Sequence, residues 1–416
     1  MLNLKNSDFV KNVLTVFSGS LIAQVVTFVS YPIITRLFLP AEFSDWALFI
    51  AATAIVTVVV SARFEQAIML PTDDKESEEL ISVSFTIAFI NSLITLLVFG
   101  LIYFVFLQNQ YPTLFWLIPL SVLLGGVNQL VLVWNTRKKK FASNSMNRVA
   151  IAGVTALVSI YLGYKIAGPM GLFIGTIAGQ VCGLFVFLVR GFQIRHLKLR
   201  IPRKVILNRY KKFATFNTPH ALLDSFIDNG LILFIGVLFS EQYVAFYAFA
   251  MRILKAPVNM IGSALYQNFF QKYSEFTHQK RAILPSLKIY TKSMLLIGIP
   301  ITLTFIFISP WLFNLIFGEK WSEAGIVSQY LAPWLLLNFI ASPISCLIII
   351  FQEQAKAFYI TITDLVIRIT ALAVGAYLDD FYIFLILLSI GVSILLIYAV
   401  MWYHQLANRA ELNYES

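Results

Sequence analysis

Charged residues are scarce in this chain of 416 residues: they make up 12% of it, and hydrophobic residues make up 59%. Soluble domains carry about 25% charged residues, so this composition excludes an ordinary soluble protein. In hydrocarbon, backbone polar groups must be satisfied internally, which leaves helices or closed barrels. Residues 93–107 and 382–403 are long apolar runs without the alternation of barrel strands. We therefore predict an all-α integral membrane protein.

The residues of soluble-enzyme chemistry are also few. Cys182 and Cys346 both lie in apolar runs, where they are expected to be small buried hydrophobic side chains. The four histidines are scattered without the paired spacing of a metal site, and no GxxxxGK phosphate loop is present. We predict that the protein is not an enzyme and that it uses no cofactor, no metal and no ATP.

The apolar runs predict about twelve membrane-spanning helices, since each span needs about 20 mainly apolar residues. The predicted spans are residues 12–38, 43–62, 80–107, 114–135, 149–167, 169–189, 216–239, 243–269, 289–308, 324–351, 357–377 and 382–404.

Lysine and arginine are distributed unevenly between the two sides of these predicted spans. Of the 31, 24 fall in the N-terminus, the even-numbered connections and the C-terminal tail, 3 fall at span ends or in a connection on the opposite side, and 4 fall in the interior of spans. The positive-inside rule then places both termini in the cytoplasm. The basic connections would face anionic membrane lipid, so the net charge of +10 requires no nucleic-acid partner.

A long basic segment divides the predicted spans into two sets of six. We predict an N-terminal lobe (1–190), a basic cytoplasmic linker (191–215) and a C-terminal lobe with a short tail (216–416). Six is even, so both lobes would insert in the same orientation, as parallel repeats do. Residues 39–43 (LPAEF) resemble residues 239–243 (FSEQY), and each segment would form the turn between the first two helices of its lobe.

Ionisable residues inside spans are costly, and they usually face a cavity or a partner. Asp224 and Asp228 share a face of the predicted seventh helix, and Arg252 and Lys255 share a face of the eighth. At about 1.5 Å per residue, both pairs lie at similar depth. Adjacent antiparallel helices would therefore pair Asp228 with Arg252 and Asp224 with Lys255.

Further charges lie on other helices. Asp364 and Arg368 form an i,i+4 couple on the eleventh helix, and Arg63 and Glu65 lie where the second helix ends. Two interpretations of the spanning charges remain open: salt bridges that fix helix packing, or a hydrated central cavity that binds an anion. For Arg63 and Glu65 the alternative is a pair of anchors that reach the membrane surface.

Amide side chains cluster on the predicted fourth helix at Asn128, Gln129 and Asn135. Such groups can contact sugar hydroxyls or form hydrogen bonds between helices. Both interpretations remain open from the sequence.

Three segments resemble Wzx-type oligosaccharide flippases. Residues 63–71 (RFEQAIMLP) look like the R-[FY]-E-x-A-I-x-L-P run of that family, as do residues 317–325 (FGEKWSEAG) followed by 331–334 (LAPW). Residues 39–43 are similar to its L-x-P-x-[ED]-[FY] turn, with Ser44 where a glycine is usual. The resemblance covers essentially the whole chain and implies the multidrug/oligosaccharidyl-lipid/polysaccharide exporter (MOP) superfamily, with two six-helix lobes around a central cavity.

This resemblance implies a function in surface polysaccharide biosynthesis, such as O-antigen of lipopolysaccharide, capsule or exopolysaccharide. The expected substrate is an oligosaccharide repeat unit on undecaprenyl pyrophosphate, moved across the bacterial inner membrane by alternating access. Its anionic head would contact Arg252, Lys255, Arg368 and Arg63. Proton or sodium coupling would use Asp224, Asp228 or Asp364, with Glu65 as a further candidate for ion coupling or a salt bridge. A polysaccharide polymerase and a chain-length regulator are expected partners.

Two rival functions remain. A drug or cation antiporter of the same superfamily should have an acid-rich site, whereas Arg252, Lys255 and Arg368 here balance the three spanning aspartates. A membrane polymerase of the same pathway would need larger loops outside the membrane. The predicted extracytoplasmic loops are short, and the longest covers residues 311–323.

The charge asymmetry makes a testable prediction about topology. Reporter fusions after Lys140, Arg203 and Arg281 should report cytoplasm, and fusions near Gln110 and Glu319 should report periplasm. A periplasmic signal after Arg203 would contradict the arrangement of two sets of six spans.

Overall fold

The computed structural model describes residues 7–104, 116–193, 196–199 and 204–415. Across these ranges the regular secondary structure is helical, and no β-strand occurs in them. Helices satisfy their backbone hydrogen bonds within one segment, which is what a lipid environment demands. The prediction of an all-α chain is confirmed.

Contacts divide the chain into two compact units, Met1–Phe234 and Ile235–Ser416. The division falls inside one helix, α9, and the predicted boundary at the basic linker of residues 191–215 stays a prediction. The helices in chain order are α1 (Ser7–Leu37), α2 (Pro40–Val59), α3 (Phe64–Ala67), α4 (Asp74–Ile102), α5 (Ile118–Arg137), α6 (Phe141–Lys165), α7 (Met170–Val189), α8 (Lys204–Lys212), α9 (Thr218–Leu238), α10 (Glu241–His278), α11 (Leu284–Phe317), α12 (Ser322–Ile344), α13 (Cys346–Ile350), α14 (Gln354–Tyr377) and α15 (Phe381–Glu415).

Twelve helical segments of the described chain are long and apolar enough to cross a membrane, as predicted. The end of the third predicted span and the start of the fourth lie outside the described residues.

The predicted loop at 311–323 is wrong, because α11 continues to Phe317 and a 3-10 turn at Glu319–Trp321 leads into α12. Gly318, with φ of 101°, is the one residue between them, and glycine adopts this backbone without a steric penalty.

The corner between α11 and α12 is closely packed. Trp321 is fully buried, with its ring centroid 4.7 Å from that of Phe249. The Ser309 hydroxyl donates to the carbonyl of Gly325 at 2.9 Å, and a Cβ at Gly325 would lie 2.6 Å from Cα of Pro310. Residues 317–325, which carry part of the family resemblance, therefore form a structural corner.

Helix α6 packs against both α1 and α7 in the first unit. Helix α7 presents glycines at every fourth position, which places them on one face. A Cβ added at Gly175 would lie 2.1 Å from Ser159 Oγ, and one at Gly179 would lie 2.8 Å from the carbonyl oxygen of Ile151. The missing side chains allow the two backbones to approach closely, as small residues do in membrane helix pairs.

Equivalent turns occur in the two halves of the chain. Leu39 and Ser240 both have extended backbone, with ψ of 155° and 154°, and each directly precedes a helix after a two-residue connection. Lys139 and Gln352, between the fourth and fifth spans of each half, both have φ of 57°. These matching turns support the internal repeat that the sequence suggests.

The contact between α6 and α7 generates a prediction about stability. Gly179→Ala should lower the free energy of unfolding by about 1–3 kcal/mol, because its Cβ meets backbone atoms that cannot move aside freely. Thermal unfolding of the detergent-purified protein, followed by the fraction that remains monomeric, measures the effect. Gly153→Ala on α6 is the matched control, since a Cβ there meets nothing within 4 Å. Equal stability of the two variants would contradict the close approach.

Candidate functional site

Asp364 and Arg368 form an ion pair on α14, as their i,i+4 spacing predicts. Arg368 Nε donates to Asp364 Oδ2 at 2.9 Å, and Arg368 is buried, with 7% of its surface exposed. Its guanidinium lies 4.9 Å from the ring centroid of Trp334 on α12. A carboxylate and an aromatic face therefore hold the same guanidinium, through an ion pair and a cation–π contact.

The second carboxylate oxygen of Asp364 differs from the first. Oδ1 is buried, and no hydrogen-bond donor contacts it in the part of the chain that the structure describes. A buried acceptor without a donor is costly, so this oxygen is an unusual feature of a spanning helix. Asp364 lies about 15 Å and Arg368 about 21 Å from the start of α14 by helical rise. The pair thus lies in the middle part of a spanning helix.

Arg252 and Lys255 lie on α10, about 16 and 21 Å from its beginning at Glu241. Both residues are partly buried and, three positions apart, they share a face of the helix. The predicted pairing of Asp228 with Arg252 and of Asp224 with Lys255 would join residues of different units. Those pairings, and binding of an anionic head by these cations, stay predictions.

Asp224 and Asp228 are both exposed on α9, one turn apart. The structure gives Asp224 a partner on its own helix: Oδ2 lies 3.1 Å from Nδ1 of His220, and both side chains are more than half exposed. This pairing was not among those predicted from the sequence, although the i,i+4 spacing of His220 and Asp224 indicates it.

Glu65 lies in α3, the short helix that follows α2, and it is not a surface anchor. Only 1% of it is exposed, and it accepts hydrogen bonds from Ser61 and from Gln129, the latter at 3.3 Å. Arg63 NH1 lies 3.7 Å from Oε1 of the same carboxyl. The anchor interpretation fails for Glu65, since its carboxylate connects α3 with α5 inside the protein.

Burial raises the pKa of the Glu65 carboxyl above its ordinary value, because desolvation disfavours the charged form. The hydrogen bond from Ser61 and the charge of Arg63 oppose the shift without cancelling it. Arg63 has a left-handed backbone, with φ of 59°, and its Nε is buried without a hydrogen-bond partner among the described residues. Residues 63–71 thus form a strained, polar corner after the second span.

The amide side chains of α5 form hydrogen bonds with neighbouring helices. Asn128 donates to the carbonyl of Gln180 at 3.0 Å and accepts from Asn147 at 3.0 Å. Asn135 donates to Ser143 at 3.3 Å. These contacts favour the helix-packing interpretation of Asn128 and Asn135 over the sugar-binding one. Gln180 was missed because a single polar residue in an apolar run carries no spacing signal, and Asn147 was missed because it lies in the polar stretch before a predicted span.

The described helices have the two-lobe fold of MOP-superfamily transporters. Lipid II flippase MurJ in an inward closed conformation matches with a TM-score of 0.72 at 10% identity, covering 97% of this chain and 90% of that one. An inward-facing multidrug resistance MATE family transporter matches at 0.66 and 15% identity, covering 93% and 95%. A MOP superfamily transporter from Pyrococcus furiosus matches at 0.61 and 15%, covering 96% of both chains.

The sequence assigns the family more narrowly than the fold does. The profile of the family described as "Polysaccharide biosynthesis protein" matches residues 33–326, so the chain belongs to that family. No curated protein sequence matches the chain. Family and fold together confirm the resemblance to Wzx-type flippases of the MOP superfamily. The chain is a multi-pass membrane protein with the fold of MOP-superfamily transporters.

The buried carboxyl of Glu65 generates a prediction about pH. Its raised pKa means that the folded state holds this proton more tightly than the unfolded state does. Stability should therefore fall as the pH rises from the ordinary pKa of 4.5 through the raised pKa. The slope should be about 1.4 kcal/mol per pH unit between those two pKa values.

Thermal unfolding of the purified protein over a pH series measures this slope. Glu65→Gln should flatten it, and Glu319→Gln, which alters an exposed carboxylate, should leave it unchanged. An identical pH slope in Glu65→Gln and the unaltered protein would contradict the burial of this charge.

Proposed function

We propose that this protein is a flippase that moves undecaprenyl-pyrophosphate-linked oligosaccharide repeat units from the cytoplasmic to the periplasmic leaflet. The observation that carries the proposal is the set of cations Arg252, Lys255 and Arg368 within spanning helices of a polysaccharide biosynthesis family member. A pyrophosphate head cannot cross about 30 Å of hydrocarbon unaided, and guanidinium and ammonium groups are suited to bind it. The similarity in fold to the lipid II flippase MurJ supports a lipid-linked substrate.

The Asp364–Arg368 pair offers a physical route from an ion gradient to substrate binding. While Asp364 is ionised, it competes with the pyrophosphate for the guanidinium of Arg368. A proton on Asp364, or a sodium ion at Oδ1, weakens that competition and frees Arg368 for the phosphate oxygens. Trp334 would keep the guanidinium in place in both states through its ring face. The coupling proposal therefore needs no carboxylate beyond the one that already pairs with the binding cation.

The two rival functions fit less well. A drug or cation antiporter should have an acid-rich site without matching cations, whereas Asp364 pairs with Arg368 and Asp224 lies beside His220. A membrane polymerase needs room for a site outside the hydrocarbon, and the continuous helix α11 removes the largest loop that the sequence suggested.

The proposed location is the bacterial inner membrane, with both termini in the cytoplasm. The excess of Lys and Arg in the even-numbered connections supports that orientation. A polysaccharide polymerase and a chain-length regulator remain proposed partners. The proposed role, transport without a covalent step, agrees with membership in a superfamily of transporters and flippases.

Reconstituted vesicles that contain lipid-linked oligosaccharide test the function. The protein should make the sugar on the inner leaflet accessible to an added lectin or glycosidase. Arg252→Ala and Lys255→Ala should each slow flipping by about 10- to 100-fold, the loss expected for one charge-assisted hydrogen bond. Lys320→Ala is the control, because this exposed lysine lies in the turn before α12.

Two outcomes would count against this proposal. Vesicles in which the unaltered protein moves no lipid-linked sugar would refute the flippase function. Normal flipping by both alanine variants would make the cations packing residues. The double variant Asp228→Ala/Arg252→Ala separates the two roles, since recovery relative to Arg252→Ala alone would indicate a structural ion pair.

A further inference from the structure

Helices α11 and α15 of the second unit form a surface groove of about 640 Å³. Its lining along α11 changes character from one end to the other. Lys288, Thr291 and Lys292 line the end near the start of α11, and Leu295 and Ile299 line the part that continues along the helix. These residues recur at three- and four-residue steps, so they lie on one face of α11. The groove therefore has an apolar surface, with two lysines at the end near the start of α11.

The polar end of the groove is built by contacts between the two helices. Thr291 Oγ1 lies 3.4 Å from Nε2 of His404, which lines the groove from α15. His404 Nδ1 lies 2.8 Å from the carbonyl oxygen of Val400, which orients the ring. These contacts fix the His404 ring against α11, while the surface that lines the groove is almost entirely apolar and the two lysines flank one end of it.

Neither lysine has a carboxylate within ion-pairing distance among the side chains that the structure describes. Glu411, the acidic residue close to this end, accepts from the backbone N–H of Leu284 at 2.6 Å. Lys288 and Lys292 are exposed and four residues apart, so their charges repel each other. A bound anion would remove that repulsion and satisfy both ammonium groups.

We propose that this groove binds an anionic glycerophospholipid of the membrane. Its phosphate would lie between Lys288 and Lys292, and one acyl chain would follow Leu295 and Ile299. The distance from Lys288 to Ile299 is about 16 Å by helical rise. One leaflet contributes about half of a 30 Å hydrocarbon core, so the groove matches the depth of a single lipid.

Charge complementarity favours an anionic lipid as the occupant of the groove. The lysines require a negative head, and the apolar continuation requires a hydrocarbon tail joined to it. A free phosphate ion would leave the apolar part of the groove unoccupied, and a zwitterionic lipid would bring a further positive charge to the two ammonium groups. The proposal does not depend on transport by this protein, because it concerns only residues of α11 and α15.

Native mass spectrometry of the full-length protein in detergent tests this proposal. The probes are phosphatidylglycerol, phosphatidylcholine, inorganic phosphate and undecaprenyl phosphate, each titrated separately. Lys288→Gln/Lys292→Gln should weaken phosphatidylglycerol binding by about thirtyfold, since each lysine near an anionic lipid contributes about fivefold. Ile299→Trp should also weaken it, by occupying the path of the acyl chain while both charges remain.

Matched controls separate this groove from general electrostatic attraction. Lys280→Gln/Arg281→Gln removes the same charge from the exposed connection before α11, and Ile301→Trp places an indole on the same helix outside the groove lining. Both controls should bind phosphatidylglycerol as the unaltered protein does.

Four outcomes would overturn the assignment. These are equal binding of phosphatidylglycerol and phosphatidylcholine, unchanged binding in the Lys288/Lys292 double variant, competition by inorganic phosphate at equal concentration, and a preference for undecaprenyl phosphate over phosphatidylglycerol. The last would make the groove a site for the polyprenyl carrier, and the third would make it a bare anion site.

Discussion

Hydrocarbon provides no hydrogen-bond partners, and most features of this protein follow from that constraint. Each polar group within a spanning segment has to be satisfied by another part of the chain. Asn128, within a span, meets this requirement through Gln180 and Asn147, and the buried Glu65, just after the second span, is likewise satisfied by Ser61 and Gln129. Because these partners lie on different helices, the same contacts that satisfy polar groups also hold α3, α5, α6 and α7 together. Polar residues are few in this chain, and the ones described here serve packing in the first unit.

Helix packing in this protein also depends on how closely backbones approach. Apolar side chains gain little by leaving lipid for protein, so shape and small residues decide which helices associate. The glycine face of α7 allows contact with α6, and Gly325 allows α12 to start against Pro310. Two of the family-typical segments, residues 63–71 and 317–325, therefore form corners of the fold. Their resemblance to flippases is thus carried by residues that shape the fold.

In the proposed function, the charged residues of the spanning helices would serve both packing and substrate binding. Arg368 is held by Asp364 and Trp334, and an anionic substrate would have to compete with the first of these contacts. Such competition would suit a transport cycle, because Arg368 could exchange its ion pair with Asp364 for a contact with the substrate. Asp364 Oδ1, buried without a donor in the described structure, is the position where a coupling ion would act. The proposed lipid site on α11 and α15 involves a separate set of cations, Lys288 and Lys292, which are exposed.

Much of the fold could be predicted from the sequence, because the length and hydrophobicity of a span are local properties. The number of spans, the two equivalent turns before residues 40 and 241, and the i,i+4 pair of Asp364 with Arg368 all follow from spacing along one segment. The loop at residues 311–323 was wrong because polar residues in a short 3-10 turn resemble a loop in composition. The burial of Glu65 was also not predictable, since its position near a span end suggested contact with water.

The sequence by itself determined that this chain is a twelve-span helical membrane protein of a polysaccharide biosynthesis family. Hydrophobic length, charge asymmetry and motif residues are properties of the linear sequence, so they can be recognised before the chain is folded. Only the tertiary structure decided which polar residues pair across helices, which glycines face a neighbouring backbone, and which lysines line a groove. Those properties depend on contacts between residues far apart in sequence. Trp334 shows the difference: it is part of a recognisable motif, but its role beneath Arg368 exists only when α12 and α14 are folded together.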